Sequence, residues 1–398
     1  MTISKKIKRF MQEGSWIRKM FEDGIALKQR YGDENVFDLS LGNPIMEPPE
    51  DFLNELRKIA EAPPSGMHRY MPNAGYPETR AAVAEQLSND AGLMFTAQHI
   101  VMTCGAGGAL NVVMRTLLNH GDEIVIFAPY FVEYIFYADN HGANCTIVPP
   151  RDDFMPDFAK LEEAIGPRTR IVLINSPNNP TGVVYTRETL GRLGETIREK
   201  EQELEIEIFL VSDEPYRRIL FDDIEYPQVF EHHSRSIVAT SHSKDLALPG
   251  ERIGFIAVNP KCDSWSEVAD GLTFSNRILG FVNAPALMQH IVARLQGITI
   301  DVTEYQAKRD FLYENLVQIG YKVVKPGGAF YMFPRSPIDD DKEFVAELAK
   351  NNVLVVPGTG FGLPGHFRIS YCVSDQTLKG AIPGFRAAFD HFRRPSLF

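Results

Sequence analysis

The feature that most constrains this chain is an alternation of short apolar runs and helical patterns between residues 99 and 258. The apolar runs are rich in β-branched side chains and lack polar alternation, which is typical of strands buried on both faces. Helical patterns separate several runs, at Ala109–Leu118, Phe158–Ile165 and Arg187–Glu203. This alternation predicts an open, mostly parallel α/β sheet. The predicted strands are Ile100–Thr103, Glu123–Phe127, Cys145–Val148, Ile171–Asn175, Ile206–Ser212, Ile237–Thr240 and Ile253–Val258.

The pattern changes after about residue 284, where short strands are mixed with helices. A long helical stretch, Ala284–Ile319, comes first, and a second helix is predicted at Asp341–Asn351. We therefore expect a large domain at residues 45–290, with about seven strands flanked by helices. A smaller α+β domain is expected to be built from both chain ends, residues 1–44 and 291–398. The predicted strands of this domain are Tyr321–Val324, Ala329–Phe333, Val353–Val356 and Phe367–Tyr371.

Two segments near the N-terminus have a distinct composition. The stretch Ile3–Met20 is basic and amphipathic. It could lie on a membrane surface, but an arm that packs on another part of the protein is the favoured interpretation. Proline and glycine are frequent between Pro48 and Pro77, and this segment is predicted to be a long loop.

Charge and cysteine content exclude several classes of protein. The chain has 41 Lys and Arg against 52 Asp and Glu, a formal net charge of −11, which argues against a nucleic-acid partner. No apolar run reaches the ~18 residues of a membrane span, and the N-terminus does not resemble a secretory signal. The four cysteines are widely spaced, with no Cys-x-x-Cys pair. We expect a cytoplasmic enzyme with reduced thiols and no metal site.

Polar or glycine-rich segments follow four of the predicted strands. They are Gly105–Gly108, Asn175–Gly182, Asp213–Tyr216 and Ser241–Lys244, and Arg252 lies a few residues beyond the last of them. In an open α/β sheet, ligands bind beyond the carboxyl ends of the strands. We therefore expect all of these residues to form one site.

The chemistry of these segments indicates an anionic ligand and a reactive amine. Gly105, Ala106 and Gly107 lead into a helix, where backbone N–H groups and the helix dipole favour a phosphate, although a simple tight turn would also need glycine. A nicotinamide-binding fingerprint fits poorly, because Leu110 stands where its last glycine is required. A buried lysine near another cation, such as Lys244 near Arg252, has a lowered pKa and can form a Schiff base.

Asp213 follows the apolar run Ile208–Val211, where a carboxylate is costly unless it is paired. A pyridinium nitrogen is a suitable partner, and this pairing recurs in enzymes that use pyridoxal phosphate. A helix N-cap is the alternative interpretation of this aspartate.

Together these motifs resemble the class I/II aminotransferases, pyridoxal 5′-phosphate enzymes of fold type I in the aspartate aminotransferase superfamily. The resemblance extends from about Leu39 to Tyr371, and its motifs are Asn-Pro-Thr-Gly from Asn179, Asp-Glu-Pro-Tyr from Asp213, and Ser-x-Ser-Lys from Ser241. It implies transfer of an amino group between an L-amino acid and a 2-oxo acid.

The resemblance also assigns roles to individual residues. Lys244 would hold the cofactor as an aldimine and shuttle a proton, Asp213 would pair with the ring nitrogen, and Tyr216 and Asn179 would bind the phenolic oxygen. Phe131 matches the aromatic residue that stacks on the ring, although a core phenylalanine is a serious alternative. The residues that would hold the phosphate are Ser241, Ser243, Arg252 and the backbone of Ala106 and Gly107.

Three further residues match family positions that contact the substrate or a second subunit. Arg368 matches the arginine that binds the α-carboxylate, and a guanidinium suits a bidentate grip on a carboxylate. Gly42 matches a glycine whose backbone approaches the substrate, which Asn179 is also expected to contact. Tyr70 matches a tyrosine that reaches the phosphate of the neighbouring subunit, so the resemblance implies a homodimer with active sites at the subunit interface.

Substrate choice stays open at this level. Dicarboxylate-specific relatives need a second cation; one branch has a lysine in the glycine turn, where this chain has Gly107, and another uses an arginine from the partner subunit. Arg277 lies in roughly the latter region, either as such a ligand or, slightly preferred, as an interface residue. Three aromatic residues are candidates for an apolar pocket but more typical of a core, namely Tyr134, Phe274 and Phe330.

Other activities are possible on the same scaffold. An aspartate-specific aminotransferase, or a C–S lyase or synthase, would share the cofactor-binding residues. A cofactor-binding regulator fused to a DNA-binding module is disfavoured by the acidic charge balance. Because the aminotransferase-like segment begins close to the first residue of this sequence, we expect no room for such a module.

Overall fold

The structure is a computed structural model that describes residues 2–13, 24–25 and 27–393. Its β-strands fall into one large sheet and two small ones. The strands are β1 (Phe37–Asp38), β2 (Ile100–Thr103), β3 (Glu123–Phe127), β4 (Asn144–Val148), β5 (Thr169–Asn175), β6 (Phe209–Asp213), β7 (Ser236–Ser241), β8 (Gly254–Val258), β9 (Tyr331–Met332), β10 (Val353–Leu354), β11 (Val356–Pro357) and β12 (Phe367–Ser370).

The helices flank the large sheet and cover the small ones. They are α1 (Lys5–Glu13), α2 (Glu50–Glu61), α3 (Pro77–Ala91), α4 (Gly105–Leu117), α5 (Glu133–Asn140), α6 (Phe158–Ala164), α7 (Arg187–Leu204), α8 (Trp265–Ile278), α9 (Ala286–Val292), α10 (Thr303–Ile319), α11 (Asp341–Lys350) and α12 (Asp375–Arg393).

The large sheet has seven strands in the order β2-β8-β7-β6-β5-β3-β4. Its pairings are parallel except for those of β8, which runs antiparallel to β2 and β7. The central strands are buried, because helices cover both faces of the sheet and two apolar cores lie between helices and sheet. The prediction of a mostly parallel seven-stranded α/β sheet is therefore confirmed.

The register of the central strands determines where the site forms. In the parallel pair β5–β6, the terminal residues Asn175 and Asp213 lie opposite each other. The next strand, β7, ends at Ser241 and is paired with β6. Three motif-bearing strand ends therefore meet at one edge of the sheet.

The two chain ends meet in a second core. Strand β1 pairs in parallel with β10, and β12 lies between β11 and β9 in an antiparallel sheet. Apolar residues of these strands pack with those of α10, α11 and α12. The combination of short strands and helices matches the predicted α+β texture, while the proposed limits of the two domains stay a prediction.

Two strand predictions in this region are wrong. Residues 321–324 form no strand in the described chain, although the Lys322 carbonyl accepts a hydrogen bond from the Arg335 backbone over 3.0 Å. An isolated hydrogen bond of this kind does not make a ladder. The predicted strand Val353–Val356 divides into β10 and β11, because Leu354 pairs toward β1 whereas Val356 pairs with Arg368 of β12.

Two predictions about helix and loop content also need correction. The stretch Ala284–Ile319 forms two helices, α9 and α10, because Gly297 takes a positive φ of 86° between them and Ile300 bonds to Asp245. The segment predicted as a long loop contains helix α2, whose N-cap is Pro49. A proline at the N-terminal end does not interrupt a helix, since the first N–H groups have no intrahelical partner.

The N-terminal helix α1 packs on the protein. Its contacts are with α5, where Lys6 forms an ion pair with Asp139. The ring centroids of Phe10 and Phe136, the latter also on α5, lie 4.9 Å apart. Residues 14–20 of the predicted amphipathic stretch lie outside the described residues. No helix in the described part of the chain is long and apolar enough to cross a membrane.

Truncating the central strand beside the site should destabilise the protein. Leu210 is fully buried in β6, so Leu210→Ala should lower the free energy of unfolding by about 3 kcal/mol through lost burial and a residual cavity. Leu53 of α2 is 40% exposed, and Leu53→Ala is a matched control expected to cost under ~1 kcal/mol. Urea denaturation at fixed cofactor concentration measures both, and equal costs would contradict this account of the core.

Candidate active site

A cavity of about 350 Å³ lies at the carboxyl ends of the central strands. Its walls come from the strand-end loops, the start of α4, the segment before α5 and strand β12. It brings together most of the residues predicted from the motifs. The predicted residues that line it are Gly42, Ala106, Gly107, Phe131, Asn179, Asp213, Tyr216, Ser241, Ser243, Lys244, Arg252 and Arg368.

Asp213 places a carboxylate at the end of β6, inside the protein. Its Oδ2 accepts a hydrogen bond of 2.6 Å from the Tyr134 hydroxyl, whereas Oδ1 is buried without a partner. Burial raises the pKa of Asp213 to about 7, and the hydrogen bond from Tyr134 opposes that shift. The free oxygen needs a donor, ideally a cationic one.

Lys244 lies in the loop after β7 and points into the same cavity. Its Nζ donates a hydrogen bond of 2.9 Å to the Gly42 carbonyl. Burial, together with the charges of Arg252 and Arg368, lowers the pKa of Lys244 to about 8. A larger fraction of this amine is therefore neutral near pH 8 than for an exposed lysine, as a nucleophile or base requires.

Gly42 can be no other residue in this arrangement. A Cβ at this position would lie 1.8 Å from the hydroxyl oxygen of Tyr331. The absence of a side chain therefore lets the backbone approach the cavity and reach the Lys244 amine.

One end of the cavity is a group of hydrogen-bond donors. Ala106 and Gly107 lie in the first turn of α4, where backbone N–H groups are free. Arg252 adds a guanidinium, and the Ser241 hydroxyl donates to the Ser243 hydroxyl over 3.0 Å. These groups together are suited to a phosphate dianion.

Gly105 supports this end from behind rather than lining the cavity. It has a positive φ of 73°, and a Cβ here would lie 2.8 Å from Nη2 of Arg252. Arg252 itself has a φ of 52° and donates to the Pro249 carbonyl over 3.0 Å. Glycine at position 105 is thus what leaves room for the guanidinium.

Arg368 lies on β12 and lines the same cavity. Its Nη1 donates to Asn179 over 3.1 Å and its Nη2 to the Ser40 carbonyl over 2.6 Å. Its buried Nε has no partner, and the rings of Tyr331 and Phe361 lie within 5 Å of the guanidinium carbon. This oriented cation retains donor capacity toward a carboxylate.

The aromatic residues divide between cavity wall and core. Phe131 lines the cavity and contacts Tyr134 edge to face, with ring centroids 5.6 Å apart. Tyr216 shares a hydrogen bond of 3.0 Å with Tyr331. Tyr134 is buried, in agreement with its predicted place in the core. Its hydroxyl also donates a hydrogen bond to Asp213.

Four other residues singled out from the sequence lie outside the cavity of their own chain. Tyr70 is 92% exposed. Arg277 is exposed at the end of α8, with its guanidinium 5.8 Å from the ring of Phe274. Phe274 is 57% exposed, so its placement in a core is wrong, whereas Phe330 is fully buried and its ring centroid lies 5.3 Å from the Lys244 amine.

Three polar residues of the cavity were missed by the sequence analysis, besides apolar ones such as Leu110. Glu133 and Tyr137 come from α5, and Tyr331 comes from β9. Glu133 could have been proposed from the sequence, because it stands only two positions after Phe131, the candidate stacking residue. Tyr137 and Tyr331 reach the cavity only through tertiary packing.

The donor set fits pyridoxal phosphate. A phosphate matches the donors around Arg252, a pyridinium N–H matches the free oxygen of Asp213, and an aldehyde matches the amine of Lys244. Within the described residues, no cluster of His, Cys, Asp and Glu is suited to a metal ion.

Comparison with known proteins identifies the class of enzyme. The family model described as aminotransferase class I and II matches residues 34–384, and the chain belongs to this family. It is therefore a pyridoxal-phosphate-dependent aminotransferase.

Particular relatives cover nearly the whole chain. The aspartate/prephenate aminotransferase of Thermus thermophilus is 34% identical, with 90% of this chain and 92% of the relative aligned. The aspartate aminotransferase of Pyrococcus horikoshii is 31% identical over 94% and 95% of the two chains. The crystal structure of an aminotransferase from Eubacterium rectale has a TM-score of 0.96 and 38% identity, covering 99% of this chain and 100% of that one.

Capture of the cofactor by the apoprotein should depend on pH through Lys244. Since the pKa of this amine is lowered to about 8, the rate of Schiff-base formation with added pyridoxal phosphate should rise with pH through about 8. The normal lysine value near 10.4 would place that rise about two units higher. Absorbance stopped-flow measures the rate. Lys244→Arg should abolish the adduct, while Lys58→Arg, at an exposed lysine, should leave it intact; a midpoint near 10 would contradict the buried-amine account.

Proposed function

We propose that Lys244, Asp213 and Arg368 carry out amino-group transfer between an L-amino acid and a 2-oxo acid. The observation that supports this assignment is their convergence in one cavity, with a buried amine, an unpartnered carboxylate oxygen and an oriented guanidinium. Each group offers a function that the other two lack.

Residues around the cavity would hold the cofactor by its different parts. Asp213 would pair with the ring nitrogen, Tyr216 and Asn179 with the phenolic oxygen, and Phe131 with one face of the ring. The phosphate would be held by Ser241, Ser243, Arg252 and the backbone of Ala106 and Gly107. When bound, pyridoxal phosphate supplies an electron sink for the electron pair left on the substrate Cα.

The protein groups then position the substrate and move its proton. Arg368 would bind the α-carboxylate with its fork of donors, and Asn179, already bonded to Arg368, would orient it. The Nζ of Lys244 would remove the proton from Cα and later return a proton to the reacting system. The Gly42 carbonyl, which accepts from Lys244, would hold that amine in place between these events.

The half-reaction with a single amino acid tests this proposal. Adding an amino acid without a 2-oxo acid should convert the absorbance band of the bound cofactor to that of its amine form. Lys244→Ala should abolish this conversion. Arg368→Lys should lower kcat/KM about tenfold to a hundredfold, because a bidentate charged contact is lost.

The control for these variants is Arg151→Lys, since Arg151 is exposed, forms an ion pair with Asp153 and does not line the cavity. It should leave kcat/KM unchanged. Conversion retained in Lys244→Ala without added amine would refute the assignment. Release of pyruvate and ammonia without an acceptor would instead indicate a lyase.

A homodimer with active sites at the subunit interface is a second part of the proposal. It is supported by Tyr70, an aromatic side chain that is 92% exposed on the isolated chain and matches the family tyrosine that reaches the partner's phosphate. Its hydroxyl would add a hydrogen bond to a charged group of the neighbouring site.

Light scattering should therefore give the mass of a dimer. Tyr70→Phe should keep that mass and weaken cofactor binding about tenfold, the usual value of a hydrogen bond to a charged group. Tyr31→Phe, at another exposed tyrosine, is the control and should not change the cofactor Kd. A monomeric mass, or an unchanged Kd for Tyr70→Phe, would contradict the proposed role.

Two finer points concern the amino donor and the cellular compartment. The names of the Thermus and Pyrococcus relatives make aspartate a second candidate for the amino donor, but every cation among the described lining residues is already assigned to another group. Four free cysteines support a reducing compartment, and we place the enzyme in the cytoplasm.

A further inference from the structure

Glu133 brings a carboxylate into the cavity that the reaction as described does not use. It is the first residue of α5, two positions beyond Phe131, and it lines the same cavity as Lys244 and Arg368. Its Oε2 is buried and has no hydrogen-bond partner. A buried, unpaired carboxylate oxygen is costly unless a ligand supplies a donor.

The surroundings of Glu133 place it against the substrate region. Burial raises the pKa of Glu133, and the charge of Arg368 opposes that shift, so the two groups interact electrostatically across the cavity. Glu133 also interacts with Tyr137, whose pKa rises to about 12 through burial and then through this charge. The Tyr137 hydroxyl lies 3.0 Å from where a Cβ of Gly107 would be, so these residues share one wall.

The cations that line the cavity already have partners in the proposed reaction. Among the described lining residues they are Lys244, Arg252 and Arg368, assigned to the reacting carbon, the phosphate and the α-carboxylate. Gly107 has no side chain with which to add another. A second carboxylate on the substrate would therefore find Glu133 without a compensating cation from this chain, and like charges in a low-dielectric cavity repel strongly.

We propose that Glu133 determines substrate specificity, favouring L-amino acids whose side chain ends in a hydrogen-bond donor and disfavouring dicarboxylic amino acids. An ammonium or a carboxamide N–H would satisfy the free Oε2, whereas a distal carboxylate would not. This inference rests on the proposed function, because it needs Arg368 to bind the α-carboxylate and so direct the side chain away from it.

The test uses the holoenzyme and four donors of similar length: L-lysine, L-glutamine, L-methionine and L-glutamate. The rate of the half-reaction is followed by cofactor absorbance, and kcat/KM is compared between donors. The wild-type enzyme should prefer glutamine to glutamate at least about tenfold, since the two differ only in the distal donor or charge. Lysine should also exceed glutamate, and methionine should fall between.

Glu133→Gln keeps the shape of the side chain and removes its charge. The glutamine-to-glutamate ratio should fall about tenfold in this variant, while methionine should change less than about twofold. Glu61→Gln, at an exposed glutamate of α2, is the matched control and should leave all ratios unchanged. The wild-type comparison tests the proposal even if the variant fails to fold.

The outcomes separate this inference from the proposed function. If the wild-type enzyme converts glutamate as fast as glutamine, the role of Glu133 is overturned and amino-group transfer is left intact. A cation from a second subunit would produce that result. An unchanged ratio in Glu133→Gln overturns it as well. If none of the donors alters the cofactor spectrum, the proposed function fails and the inference fails with it.

Discussion

The rest of the structure depends on the burial of the Asp213 carboxylate at the centre of the sheet. Strands β5 and β7 flank β6, so this aspartate cannot move toward solvent without breaking pairings on both sides. Tyr134 satisfies only one of its two oxygens. Burial disfavours the ionised form of this carboxyl group, and a cationic ligand would stabilise that form, so the site favours a protonated ring nitrogen.

The cations of the cavity are arranged around that carboxylate in a complementary way. Lys244 is buried and close enough to Arg252 and Arg368 for their charges to lower its pKa, so the amine that must react is the one most easily deprotonated. Arginine suits the binding of anions because its planar guanidinium presents several donors in a fixed fork. Lys244, with its lowered pKa, is therefore suited to exchange protons, whereas Arg252 and Arg368 are suited to bind anions.

The sequence was sufficient to predict the sheet and most of the site. Strands buried on both faces appear as continuous apolar runs, a signal that needs no tertiary information. Because parallel strands end at one edge, Asn179, Asp213 and Lys244 could be grouped although distant along the chain. The strand predicted at 321–324 was wrong because Tyr321 packs against helix residues such as Phe344 and Phe389, and the segment pairs with no strand among the described residues.

Other features could not be read from local patterns. The donation by Tyr134 to Asp213 and the contact between Tyr216 and Tyr331 depend on how α5 and β9 pack against the large sheet. The interruption between α9 and α10 depends on the hydrogen bond from Ile300 to Asp245. Glu133 could be seen in the sequence, but the sequence could not show that its Oε2 is buried without a hydrogen-bond partner. The proposed role in substrate specificity depends on that oxygen.

The hydrogen bond from Arg368 to the Ser40 carbonyl joins residues 328 positions apart. A growing chain therefore contains all seven strands of the large sheet before it contains this anchor, because β8 ends at Val258 and Arg368 lies on β12. The residues from Gly105 to Arg252 that are assigned to the cofactor are likewise synthesised before the residue assigned to the substrate carboxylate.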